Sequence, residues 1–133
     1  MNYINGPNYP TLDQLKEIQA SGLVDIQSHT LSHANLASLS ILELDKELGE
    51  SKKYLKDVFN IDSTVICFPY GKYNKNVLSK SKEYYTFGLA MYGGVYYSDK
   101  DDIYEISRIY ANRSMTMNTF ISYLNKSKVQ VEW

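Results

Sequence analysis

The sequence predicts an α/β fold built on parallel strands, and three observations carry that expectation. Short runs rich in β-branched residues, such as "STVICFP", alternate with amphipathic stretches of helical period. The first two of those stretches each open on a capping-box spacing, which marks where a helix begins. No repeat, low-complexity tract or Pro/Gly-rich linker divides the 133 residues, which are one domain's worth of material. Strand and helix in alternation argue for parallel strands joined by crossover helices. In such folds the chemistry collects where strands end and loops begin.

The elements follow in order. Thr11 precedes Gln14 by three residues, Leu12, Leu15 and Ile18 recur on one helical face, and Gly22 stands where a helix terminates. "LVDIQS", Leu23 to Ser28, predicts a short strand leading directly into His29. Ser40 and Glu43 form the second capping box, and behind it Ile41, Leu44, Leu48, Leu55 and Phe59 make an apolar stripe ending near Asn60. "STVICFP" predicts a strand stopped by Pro69. A helix from about Asn76 to Tyr84 comes next, then a strand near "YTFGLAM" and the turn-forming "YGGVYYSDKDD". "YEISRIYA" predicts a last strand, and "TMNTFISYLNK" a closing helix that packs Phe120, Ile121 and Leu124.

Composition narrows the function classes. Hydrophobic residues make up 44% and charged residues 22%, the balance of an ordinary globular protein. A formal net charge of -1 gives no polycationic surface, so a nucleic-acid or anionic-membrane partner has no electrostatic support. Cys67 is the only cysteine, which excludes an intrachain disulfide. No apolar run approaches the roughly 20 residues that span a bilayer. The opening "MNYINGPNYP" lacks the basic and apolar segments of a secretory signal. That pattern predicts a protein that stays inside the cell, or one whose export signal belongs to an upstream segment. The 13 tyrosines are scattered, which suits amphipathic packing more than a sugar-binding platform.

Both histidines of the chain fall in "VDIQSHTLSHANL", at positions 29 and 33. Two imidazoles at this spacing converge on one ion if the chain turns like a helix after His29, and neutral imidazole is a good ligand for zinc and similar divalent metals. The bland alternative is a pair of polar loop residues bonded to backbone. A zincin arrangement fits poorly, because Thr30 stands where that pattern has Glu and a strand precedes the pair. "PYGKYN" follows the next strand, so the two loops should meet at one mouth. By itself "PYG" is also an ordinary turn after a strand.

"VDIQSHTLSH" resembles the second motif, His-[Ser/Thr]-x-x-His, of the polysaccharide deacetylases with a NodB-type domain, carbohydrate esterase family 4. "FPYGKYN" is similar to that family's third motif, "ELDKELGESKKYLKDVFN" looks like its linking helix, and "YEISRIYA" resembles its late Arg-Ile strand, especially in the poly-N-acetylglucosamine branch. The resemblance runs from about Tyr9 to Leu124. It implies a partial or deformed (β/α) barrel of about five strands, forming a single domain over residues 1–133. It implies hydrolysis of N-acetyl groups from an N-acetylhexosamine polymer at a divalent metal, most often zinc, in an extracellular or cell-envelope setting. It makes His29 and His33 metal ligands and Tyr70 the catalytic backbone donor to the oxyanion. Pro69 and Gly71 would shape the substrate-binding turn. Arg108 would face substrate at the barrel mouth or else form a structural salt bridge.

The sequence departs from that family in definite places. The first motif, Thr-Phe-Asp-Asp-Gly, has no counterpart in the 28 residues before His29, so the general base and the metal-binding aspartate are missing. Asp13 falls within a helix, and Asp25 lies roughly 13 Å down the strand from His29, too far to share a metal. A third histidine, commonly the acid, is absent, and Cys67 replaces the third-motif arginine. The expectation is a domain lacking its N-terminal strand–helix segment, incomplete as an enzyme or reduced to a metal- or glycan-binding remnant. An open sheet edge where that strand belongs predicts a homodimer that covers it.

Overall fold

The computed structural model describes residues 8–91 and 94–125. Helix α1 is Leu12–Ala20, where Thr11 Oγ1 accepts the Gln14 N–H at 3.2 Å and Gln14 Oε1 accepts the Thr11 N–H at 2.8 Å. Gly22, at φ 70°, turns the chain away after the helix. Helix α2, Ile41–Phe59, opens on the same reciprocal cap between Ser40 and Glu43 and closes on Asn60 in the left-handed region. Its period buries Leu44, Leu48, Ser51, Leu55 and Phe59. Ile41, expected on that stripe, is exposed instead, because it sits in the first turn, ahead of the core that begins at Leu44.

Strands β1, Val65–Cys67, and β2, Phe87–Leu89, pair in parallel with Ile66 opposite Gly88. The crossover between them is α3, Lys75–Tyr84, which starts where Asn74 Oδ1 accepts the Val77 N–H at 3.1 Å. Each strand has one further parallel neighbour. Ser28 pairs with Ile66 on one side, and Ile106 pairs with Leu89 on the other. Four parallel segments therefore lie side by side with helices packed on them, an α/β partial barrel. The core gathers Leu36, Leu44, Leu48, Ile66, Phe68, Val77 and Tyr85.

Three expected elements come out differently. "LVDIQS" pairs only at Ser28, and Leu23 is 89% exposed. Gln27 explains the loss of ladder: its side-chain Oε1 accepts the N–H groups of Thr64 and Val65 at 3.1 and 3.0 Å, so an amide stands in for the strand backbone. "YEISRIYA" likewise touches the sheet through one bridge, at Ile106. Gly88 makes even that approach possible, since a Cβ there would lie 2.4 Å from the Tyr104 carbonyl oxygen. Helix α4, Met117–Leu124, forms as expected and is capped by Thr116, but none of its residues is buried. Phe120, Ile121 and Leu124 thus do not pack as expected; they face outward. The rest of "TMNTFISYLNK" beyond Asn125, and Tyr92 and Gly93 of the predicted turn, lie outside the described residues.

Candidate metal centre

The sheet delivers His29 to its mouth. Ser28 is locked to β1 by its N–H on the Val65 carbonyl and its carbonyl on the Cys67 N–H, at 3.1 and 3.0 Å. The next side chain, His29, lies 2.6 Å through Nδ1 from the Cys67 carbonyl oxygen. A carbonyl only accepts, so the proton is on Nδ1 and the Nε2 lone pair is left for a ligand.

The loop that follows is bent hard. Thr30 and His33 have φ of 68° and 61°, a region uncommon for any residue but glycine and most of all for β-branched Thr. Each such residue costs on the order of 1–3 kcal/mol and persists only where its surroundings over-determine it. Here they do. Thr30 Oγ1 accepts the His33 N–H at 3.1 Å, Ser28 Oγ accepts the Thr30 N–H at 3.3 Å, and Glu47 takes the N–H groups of Leu31 and Ser32. The result is a close pair, with the His29 and His33 ring centroids 4.8 Å apart at 70°.

The second loop meets the first. Pro69 and Gly71 are buried, and Tyr70 between them adopts φ 58° and places its ring in a T-shaped contact with His33, centroids 4.7 Å apart. Gly71 is required at its place, for it has φ 62° and a Cβ would stand 2.4 Å from Met91 Cβ. The N–H groups of Phe68, Gly71 and Lys72 all reach carbonyls, whereas that of Tyr70 has no acceptor among the described residues.

Arg108 reaches the same mouth from the far side of the sheet. Its Nε donates to the Ala90 carbonyl at 2.9 Å, its guanidinium lies near enough to the Cys67 thiol to act on its titration, and none of the ion pairs among the described residues includes it. Burial pushes the Cys67 thiol up, against the opposing pull of Arg108, so the thiol stays protonated. Burial is also the main cause that lowers His29, opposed by the Cys67 carbonyl and helped by the charges of His33 and Arg108. A lowered pKa keeps His29 neutral at neutral pH, the form that binds metals.

The histidines line a cleft of about 560 Å³ together with Tyr9, Leu31 and Ser51. Among the described residues no group of three His, Cys, Asp or Glu side chains is placed to hold an ion. Asp25 is turned to Gln27 Nε2, at 2.8 Å. The site therefore fits a divalent metal through two imidazoles and leaves the remaining positions to other donors. Sequence reasoning named His29, His33, Pro69, Tyr70, Gly71 and Arg108: the two histidines line the cleft, the Tyr70 ring between Pro69 and Gly71 meets His33, and Arg108 stands on the Cys67 side. It missed Gln27 and Glu47, a polar side chain beside the first loop and one on the buried side of a helix, whose partners are backbone amides.

A sequence profile described as polysaccharide deacetylase matches residues 2–86, a span that holds both histidines and the "PYG" turn. The chain belongs to the polysaccharide deacetylase family. It is 29% identical over 126 residues to "Putative polysaccharide deacetylase YxkH" of Bacillus subtilis (strain 168), covering 94% of this chain and 44% of that protein. The Streptococcus pyogenes deacetylase PplD, solved in complex with acetate, superposes with a TM-score of 0.81 at 26% identity, over 89% of this chain and 52% of PplD. BA0330 of Bacillus anthracis shares the fold, with a TM-score of 0.83 at 24% identity, over 91% of this chain and 38% of that one. The chain thus spans about half or less of these relatives. Arg108 lies beyond the matched span.

Proposed function

We propose that this chain supplies two metal ligands and an oxyanion donor to a metal-dependent polysaccharide N-deacetylase. One observation carries the reading: the His29–His33 pair, its His29 tautomer fixed by the Cys67 carbonyl, lies beside a Tyr70 N–H that has no acceptor among the described residues. His29 and His33 would hold the metal, zinc being the best match to neutral imidazoles. When bound, such a cation supplies Lewis acidity toward an acetamido carbonyl and an attacking water. The Tyr70 N–H, fixed by the left-handed turn before Gly71, donates to the oxygen on which charge develops. Pro69 and Gly71 hold that turn, and Arg108 presents a cation to the glycan from the opposite wall. The bond broken is the amide C–N of an N-acetylhexosamine, releasing acetate, the molecule with which PplD was solved. Poly-N-acetylglucosamine of a biofilm, or a cell-wall glycan outside the cell, is the substrate class that the family resemblance favours.

The base and the third metal ligand must come from a segment or subunit outside the described residues. This chain by itself should release no measurable acetate from an N-acetylglucosamine oligomer with added zinc, since a positioned acid or base alone supplies roughly 10²–10⁴ in rate. Vigorous turnover by the purified chain, abolished by a chelator, would contradict that expectation. The absence of a third donor among the described residues also favours a second reading, a metal- or glycan-binding module without turnover. An assay on a longer protein that supplies an aspartate-bearing first strand separates the two. Deacetylation there, lost on His29→Ala, supports the enzyme; zinc binding without acetate release supports the module.

A further inference from the structure

Deepening the metal-site reading above, we infer that Glu47 is the positioning residue that holds the His29–His33 loop in its ligating shape. Glu47 lies on α2, on the same side as the buried Leu44, Leu48 and Ser51, and is itself half-buried. Its Oε2 accepts the Leu31 and Ser32 N–H groups at 3.1 and 2.9 Å, and its Oε1 accepts the Ser32 hydroxyl at 2.6 Å. One carboxylate thus receives three donors from Leu31 and Ser32, two of the three residues between the histidines. Hydrogen bonds to an ionised acceptor are roughly twice as strong as neutral ones.

The need for such a clamp follows from the backbone. The loop carries two non-glycine residues at positive φ, Thr30 and His33, one at each end of the clamped pair. Released, residues of these types relax toward the ordinary φ regions, and the rings separate. Within the turn itself the His33 N–H donates to Thr30 Oγ1 and the Thr30 N–H donates to Ser28 Oγ, both local bonds. Glu47 ties the turn to a long helix packed in the core. Both carboxylate oxygens are occupied by loop donors, so Glu47 acts on the metal through the imidazoles rather than as a ligand.

A clamp and a charge effect predict different variants. Gln at 47 retains one oxygen for the two amides, and its NH₂ meets a Ser32 hydroxyl that is able to accept. Ala removes all three contacts while favouring the helix. The test uses the full chain. The nuclear Overhauser contact between the His29 and His33 rings is recorded without metal, and zinc affinity is measured by calorimetry. Glu47→Ala should lose the ring contact and weaken zinc at least tenfold, the effect of reducing the competent loop population to about a tenth. Glu47→Gln should keep the contact and bind within about threefold of wild type. Ser32→Ala, which leaves α2 untouched, should give a smaller loss in the same direction. Ser40→Ala weakens the start of α2 without touching the clamp, and should lower the melting temperature but leave zinc affinity alone.

Wild-type ring contact and affinity in Glu47→Ala would overturn the inference. So would a Glu47→Gln variant as weak as Glu47→Ala, which would assign the effect to charge. Equal weakening by Ser40→Ala would assign it to stability and overturn it too. If the wild type binds no zinc, the metal reading fails, and the metal-free ring contact still decides the role of Glu47.

Discussion

Around the two histidines, single atoms decide what the residues do. The Cys67 carbonyl sets the His29 tautomer, and a left-handed Tyr70 frees an N–H at the mouth. The spacing of His29 and His33, and the "PYG" that follows the next strand, were legible because side-chain chemistry leaves a residue-type signature. The Cys67 contribution was not, since any residue offers a carbonyl; the sequence shows only that an expected arginine is missing there. Glu47 was hidden for the converse reason: a carboxylate on a helix is usually solvated. Gly71 carries the sharpest stability prediction at this scale. Gly71→Ala puts a Cβ 2.4 Å from Met91 Cβ at φ 62°, and overpacking of this kind typically costs about 1–3 kcal/mol, with the left-handed strain in addition. Denaturant unfolding should show a loss of at least about 2 kcal/mol, and a midpoint equal to wild type would contradict the tight turn.

Helices were the most readable elements, because caps and period are written in neighbouring residues. Both capping boxes form as Thr11/Gln14 and Ser40/Glu43 predict, and Ser40→Ala should destabilise the protein by about 1 kcal/mol in the same unfolding assay. Strands were less readable, since pairing depends on partners distant in sequence. "LVDIQS" has strand composition, yet the Gln27 side chain takes the amides that its backbone would have met. Helices α2 and α3 are joined by a polar cluster in which Asp45 accepts from the Tyr84 hydroxyl at 2.6 Å and pairs with Lys80 at 2.9 Å. The Tyr84 hydroxyl, then Lys80, hold the Asp45 carboxyl below its ordinary value of 3.8. A depressed folded-state pKa means stability that is present above 3.8 and lost as pH falls through the lower folded value. Asp45→Asn should therefore flatten the most acidic limb of a melting-temperature profile while leaving its shape near neutrality unchanged.

At the scale of the whole molecule, the α/β class followed from the alternation of elements, and the partial barrel from the family resemblance. What escaped the sequence is how little of the outer layer is covered. The apolar face of α4 and the flank at Leu23 and Val24 are exposed, and no local pattern reports whether a partner surface exists. We propose that a second copy covers the exposed flank at Leu23 and Val24, because a two-fold contact buries the same surface on both chains. Light scattering over a dilution series should then give a dimer that dissociates on dilution, and a well-folded monomer at micromolar concentration would contradict it. No helix among the described residues is long and apolar enough to cross a membrane.

The central claim is that His29 and His33 form one metal site at the mouth of this fold, and a calorimetric zinc titration tests it most directly. The wild-type chain should bind zinc saturably but weakly, as two protein ligands where catalytic zinc normally has three would dictate. His29→Ala and His33→Ala should each abolish the signal. Zinc binding that is unchanged in His29→Ala would contradict the account.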